Sequence, residues 1–96
     1  MDQLKQELAK RPVIICLSKA GLALAQRLAP HIDADIHGHA LRCPDAPFHF
    51  GKARAHIANL FSSGRPIIGI CAAGILIRAV APHLRHKSSD APVLAV

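Results

Sequence analysis

Two short turns of small residues, Ser18-Lys19-Ala20-Gly21 and Cys71-Ala72-Ala73-Gly74, each join an apolar run to a helical pattern. Such turns can bind anions through the main chain. The first turn of a helix leaves N–H groups without intrahelical partners and carries about half a positive charge. Alanine and glycine let a ligand come close to that backbone. Four residues after Gly74 stands Arg78, the only charge between Arg65 and Arg85. A guanidinium in an apolar helix calls for a partner. Two readings are open: Arg78 pairs internally, with Asp90 the nearest acid in sequence, or it grips a ligand carboxylate bidentately. The turns themselves also fit a plain structural role, because tight strand-to-helix connections are common.

Lys87-Ser88-Ser89-Asp90 adds a cation, two hydroxyls and a carboxylate just before the last apolar run. It reads either as a solvated turn or as pocket lining. Its place ahead of a strand puts it on the sheet edge opposite the two small-residue turns, unless the connection folds back. The candidate ligand contacts are therefore Ser18, Lys19, Gly21, Ala72, Ala73, Gly74, Arg78, Lys87, Ser88 and Asp90.

The histidines raise the question of a metal. His37, His39, Cys43 and His49 fall within one stretch, but the close pairs typical of zinc sites are missing, so no metal site is expected. His56 lies on an apolar helix face and reads as a packing residue; His83 and His86 read as solvent-facing. No residue stands out as catalytic. His39 and His49 are the loop histidines to test as a base. Gly-x-Gly-x-x-Gly, Walker and Gly-x-Ser-x-Gly patterns are absent, and Glu7 is the only glutamate, which leaves paired-carboxylate chemistry few candidates.

The elements that must position these residues follow from periodicity. Leu4 and Leu8 are spaced i, i+4, and Asp2 can cap, predicting a helix over 2–10. Residues 13–17 and 66–70 are uniformly apolar, as strands of a parallel sheet covered on both faces are. A helix is predicted over 22–29, stopped by Pro30, and a weak strand over 34–37. Residues 38–50, with two prolines, read as a loop. Ala53, His56, Ile57, Leu60 and Phe61 follow a helical period, ended at Ser62-Ser63-Gly64. A helix over 74–81 and a strand over 92–96 complete the set. Alternating helices and apolar strands predict an α/β fold. The expected form is a small three-layer sandwich with a mostly parallel four-stranded sheet in flavodoxin-like order 2-1-3-4, with right-handed crossovers.

Composition sets the outer limits. The chain has 96 residues, 51% of them hydrophobic and 19% charged, which is a globular balance for one domain. A chain of this length buries roughly 60–70% of its unfolded surface, so a core is feasible and stability modest. No apolar run reaches the ~20 residues of a membrane span. The polar N-terminus does not resemble a signal peptide, and three widely spaced cysteines do not form a disulfide framework, so a cytoplasmic location is expected. The net charge of +6 points to an acidic partner. With three Phe and no Tyr or Trp, stacking surface for nucleic acid is scarce, and a small polyanion fits at least as well.

Residues 74–93 resemble the N-terminal domain of the cobalamin-biosynthesis CbiG family, the cobalt-precorrin-5A hydrolases. Ala72, Ala73, Gly74, Arg78, Ala81, Pro82, Leu84, Lys87 and Asp90 match that family's pattern in order, with Ala91 intervening before Pro92 where the family has proline directly after the aspartate. The family continues past this strand into a Gly-His-x-Gly-Gly-Asn segment and further domains. The chain is accordingly expected to be one domain, 1–96, of a longer protein. Similar modules occur fused to precorrin-3B C17-methyltransferases. The resemblance implies a substrate that is a ring-contracted tetrapyrrole rich in acetate and propionate groups. It further implies hydrolytic opening of a lactone in the parent protein, no cofactor of the domain's own, and cobalt only as part of the substrate. Binding without catalysis is expected of these residues alone. A competing expectation is a non-catalytic interaction module that docks an associated methyltransferase, or a second copy, through 92–96.

Overall fold

The computed structural model describes residues 11–85 and 90–96; the predicted helix over 2–10, and Lys87 and Ser88 among the site candidates, lie outside them. The first strand, β1 (Val13–Cys16), is wholly buried, as its unbroken apolar run requires. Ser18 then starts α1 (Lys19–Ile32): its backbone is extended and its hydroxyl accepts the Gly21 N–H at 3.0 Å. The helix therefore begins inside the predicted turn. It also runs through Pro30, where the sequence suggested a stop. Pro30 falls in the last turn, so the i→i−4 bond it removes interrupts only the helix end, and the N–H groups of Asp33 and Ala34 both close on the Ala29 carbonyl. Asp33, in the left-handed region at φ 53°, ends the helix.

The chain continues through β2 (Asp35–His39), β3 (Phe48–Phe50), α2 (Ala53–Ser62), β4 (Ile67–Ile70) and α3 (Ala73–Val80). A 3₁₀ turn at Ala81–His83 and β5 (Val93–Ala95) complete it. The sheet is parallel throughout, in the order β3-β2-β1-β4-β5. The predicted order survives as β2-β1-β4-β5. The correction is a fifth strand, β3, inside the stretch read as a loop. Phe48, His49 and Phe50 pair with His37, Gly38 and His39, while both prolines stay in the connection 40–47. Neighbouring parallel strands usually need a helical crossover. Here the connection folds against the sheet instead, burying Cys43 and Ala46 over Gly38.

Two apolar layers enclose the sheet. On one face α1 and the connection 40–47 pack Leu22, Ala25, Cys43 and Ala46 against Ile14, Cys16 and Ile36. On the other, α2 and α3 pack Ile57, Leu60, Phe61, Leu76 and Ala79 against Val13, Ile15, Phe50 and Ile67. Leu76 seats directly over Gly69, where a side chain would collide with it.

At the amino ends of the strands a charged clamp joins β1, β2 and β4. Asp35 accepts from Arg11 Nε at 2.8 Å and from Arg65 Nη2 at 2.6 Å, and Arg65 Nε donates to the Arg11 carbonyl at 3.0 Å. Burial pushes the Asp35 carboxyl up, but the hydrogen bonds from Arg65 and Arg11 outweigh it and hold the carboxyl below its ordinary value. Among the described residues, no helix is long and apolar enough to cross a membrane.

Candidate functional site

The opposite end of the sheet carries a cleft of about 410 Å³ on the side of α2 and α3. Its floor comes from the carboxyl ends of strands: Leu17 after β1, His39 at the end of β2 and Gly51 after β3. Ala53 and Arg54 open α2, Ile75 and Arg78 lie on α3, and Arg42 comes from the connection 40–47. Ligands of parallel α/β sheets bind outside the carboxyl ends of the strands, and this cleft obeys that rule.

Among the described residues, three guanidiniums and one imidazole line the cleft, and no carboxylate does. Among the described residues, Arg42, Arg54 and Arg78 form no ion pair; all three are exposed. Two helix starts reinforce the positive field. Neither α2 nor α3 has a side-chain cap or an acidic residue in its first turn, so their leading N–H groups have no side-chain acceptor. In α1 the Gly21 N–H is already taken by Ser18.

The structure thus distributes the sequence candidates unevenly. Arg78 lines the cleft. Ala72 and Ala73 are exposed at the uncapped start of α3, and Gly74 follows in its first turn with Arg78 Nη2 3.8 Å from where a Cβ would sit. Ser18 serves as helix cap, Lys19 is exposed on α1, and Gly21 is buried, its Cα set against Ser18 and Ile70 for close helix–sheet packing; none of the three lines the cleft. Asp90 accepts the Arg85 N–H at 2.9 Å. Arg42, Arg54 and His39 are the cleft residues that carry the additional polar groups. Arg54 had one signal in sequence, its place at the start of the strongest helical period. Arg42 had none, because an exposed arginine in a proline-bearing loop looks like any other.

Beneath the cleft lies a ring cluster. His37 Nδ1 and His56 Nε2 share a hydrogen bond of 2.7 Å, His56 stacks on Phe50, and Phe50 meets the His39 ring edge-on. Burial, with the nearby His56 and Arg65, pulls His37 down to about 4; burial and Arg65 lower His56 as well. Both rings are therefore neutral near pH 7. The predicted packing role of His56 holds, with His37 as its polar partner.

Nucleophiles are poorly placed. Burial, followed by Cys43 and Cys71, pushes the Cys16 thiol up to about 11, and burial also raises Cys71, so both stay protonated near neutral pH. His49 bonds the Pro44 carbonyl at 2.9 Å and belongs to the α1 side of the sheet, as its register partner Gly38 does. His37 and His39 face the other side. Among the described residues, no group of three or more His, Cys, Asp or Glu side chains is arranged to hold a metal ion.

Residues 55–96 match the family described as Cobalamin synthesis G N-terminal. The resemblance read from residues 74–93 falls within that span. The matched span includes most of α2, β4, α3 with Arg78, and β5. No curated protein and no solved structure matches the chain.

Proposed function

From that match as premise, we propose that the chain is a binding domain of a cobalt-precorrin-5A hydrolase-like protein of the cytoplasm. It holds the rim of a polycarboxylate tetrapyrrole in the cleft at the carboxyl edge of the sheet. One observation carries this reading: three guanidiniums, none of them in an ion pair among the described residues, converge on one cleft between two helix starts without side-chain caps. Guanidiniums take carboxylates bidentately, and the planar fork fixes orientation as well as charge. At about 410 Å³ the cleft admits an edge of a macrocycle with its acetate and propionate arms, not the whole ring. Cobalt, when present, belongs to the substrate.

The work of this chain is to bind and orient. A lactone-opening step needs a base within hydrogen-bond reach of water or of the reacting oxygen. His39 lines the cleft, but its Nδ1 is occupied by main-chain N–H groups; His49 lies across the sheet; Cys16 and Cys71 are protonated. Among the described residues no group is placed to act as that base.

Isothermal titration with uroporphyrin, an octacarboxylate tetrapyrrole, tests the reading. Arg78→Ala removes a charge-assisted hydrogen-bonding group worth about 1.5–3 kcal/mol, so affinity falls about 10- to 150-fold, and less at high salt. Equal binding by the wild type and the variant removes Arg78 from the site. A second reading, docking to an associated precorrin-3B C17-methyltransferase or to a second copy, draws on β5. Among the described residues this strand pairs only with β4, and Leu94 and Val96 are 61% and 63% exposed. Light scattering after size exclusion supports it if the chain dimerises through β5 and binds no porphyrin.

A further inference from the structure

One polar group of the cleft is already held in a fixed protonation geometry, and it lies outside the stretch that matches the family. His39 closes a turn on itself: Nδ1 accepts the N–H of Leu41 at 3.2 Å and the N–H of Arg42 at 3.4 Å. An imidazole nitrogen that accepts carries no proton, so in the neutral ring the hydrogen sits on Nε2. The ring also packs in a T-shape against Phe50, at 5.9 Å and 88°. Nε2 has no hydrogen-bond partner among the described residues, and the side chain lines the cleft beside Arg42, Arg54 and Arg78. The same two main-chain bonds that orient His39 also tie down the backbone of Arg42.

We propose that His39 is a ligand-contacting residue whose Nε2–H donates to an oxygen of the bound polycarboxylate, beside the carboxylate taken by Arg42. This inference rests on the reading of the cleft as a polycarboxylate site. It assigns His39 the opposite of a base's role: Nδ1 is spent on the turn, and Nε2 gives a proton to a hydrogen bond instead of receiving one. In the tautomer that the turn imposes the donor is a directional N–H, whereas the three guanidiniums act largely through charge. Their contributions therefore separate by salt: that of His39 persists as ionic strength rises, and those of the arginines fall. The turn also explains how the unmatched half of the chain takes part in the site, since β2 and the connection 40–47 bring His39 and Arg42 to the rim where α3 brings Arg78.

Two conservative variants of the full chain separate donation from turn-building. In His39→Asn the amide oxygen sits where Nδ1 was and can hold the turn, but the Nε2 donor is gone. In His39→Gln the amide reaches the Nε2 position and restores a donor while losing the turn acceptor. Titration uses mellitate, a soluble benzenehexacarboxylate, with Arg78→Ala as the reference. The expected result is binding by the wild type, a loss of about three- to tenfold in His39→Asn that is insensitive to salt, and partial recovery in His39→Gln. Nitrogen-15 spectra of the free protein should show the proton on Nε2. If Arg78→Ala weakens binding while His39→Asn binds like the wild type, or if the spectra place the proton on Nδ1, the donor role is wrong and the cleft stands. If the wild type binds no mellitate, the polycarboxylate reading falls and this inference with it.

Discussion

A methyl group added at Gly38 would lie 2.6 Å from the Cβ of Ala46 and 2.7 Å from the Cβ of Cys43. Carbon atoms in contact prefer about 3.5–4.0 Å, so Gly38→Ala falls short by about 1 Å against two atoms at once. Both obstacles are Cβ atoms fixed to the main chain, and no rotamer change moves them. The connection 40–47 must lift, although Cys43 is 0% and Ala46 5% exposed. Overpacking of this kind costs about 1–3 kcal/mol, and the rigidity of the neighbours places this case near the top of that range. Gly38 does not use the left-handed region, so alanine recovers about 0.4–1 kcal/mol by restricting the unfolded chain. The net expectation is a loss of about 2 kcal/mol, or a fall in Tm of roughly 8–16 °C for a domain of this size. Urea unfolding followed by circular dichroism measures it, with the slope unchanged. Because the same connection carries Arg42, polycarboxylate affinity should drop in the folded variant as well. An unchanged or raised midpoint would refute the packing account of β3, because the connection would then be yielding freely.

Other consequences concern charge. The folded state lowers the pKa of His37 to about 4 from 6.5, so the unfolded chain takes up protons first as pH falls. The stability tied to the neutral His37–His56 pair is complete above about pH 6.5 and is lost as pH drops toward 4; Arg65 opposes protonation of both rings and Asp35 favours it at His37. Urea midpoints at pH 7.5 and pH 5 should differ in the wild type and converge in His37→Phe; parallel shifts in both proteins would exclude the pair as the source. The lowered carboxyl of Asp35 contributes stability above its ordinary value of 3.8 and loses it only as pH falls below that, outside this window. Asp35→Asn leaves the part-buried Arg65 with a weaker partner and should cost on the order of 2 kcal/mol, read from the urea midpoint at pH 7. A change under about 0.5 kcal/mol would make the clamp a surface ornament in energetic terms.

What could be read from the residues alone divides along physical lines. Val13–Cys16, Ile67–Ile70 and the face Ile57, Leu60, Phe61 were legible because burial writes itself into local patterns: unbroken apolar runs for doubly covered strands, a helical period for a half-buried helix. Phe48–Phe50 was not, since a three-residue strand directly after two prolines owes its existence to pairing with β2, a non-local fact. Pro30 misled because its cost depends on which turn of the helix it occupies. Within the cleft, Arg78 stood out as a lone charge in an apolar stretch, whereas Arg42 and Arg54 became visible only once strand order carried three separate segments to one rim. Ser18 and Gly21 show the limit of the turn motif: the same small residues that suit a ligand also suit a helix cap and a tight helix–sheet approach, and here they serve the latter.

The Arg11–Asp35–Arg65 clamp and the arginine-lined cleft sit at opposite poles of one parallel sheet, some strand-length apart. Each pole holds cations in a different state: one set is neutralised and grips the scaffold, and the other, among the described residues, has no acid paired with it. On the proposed reading, substitutions that retune recognition can therefore accumulate at the rim without loosening the clamp. A homologue that has changed its guest should be recognisable by an altered rim over an intact base.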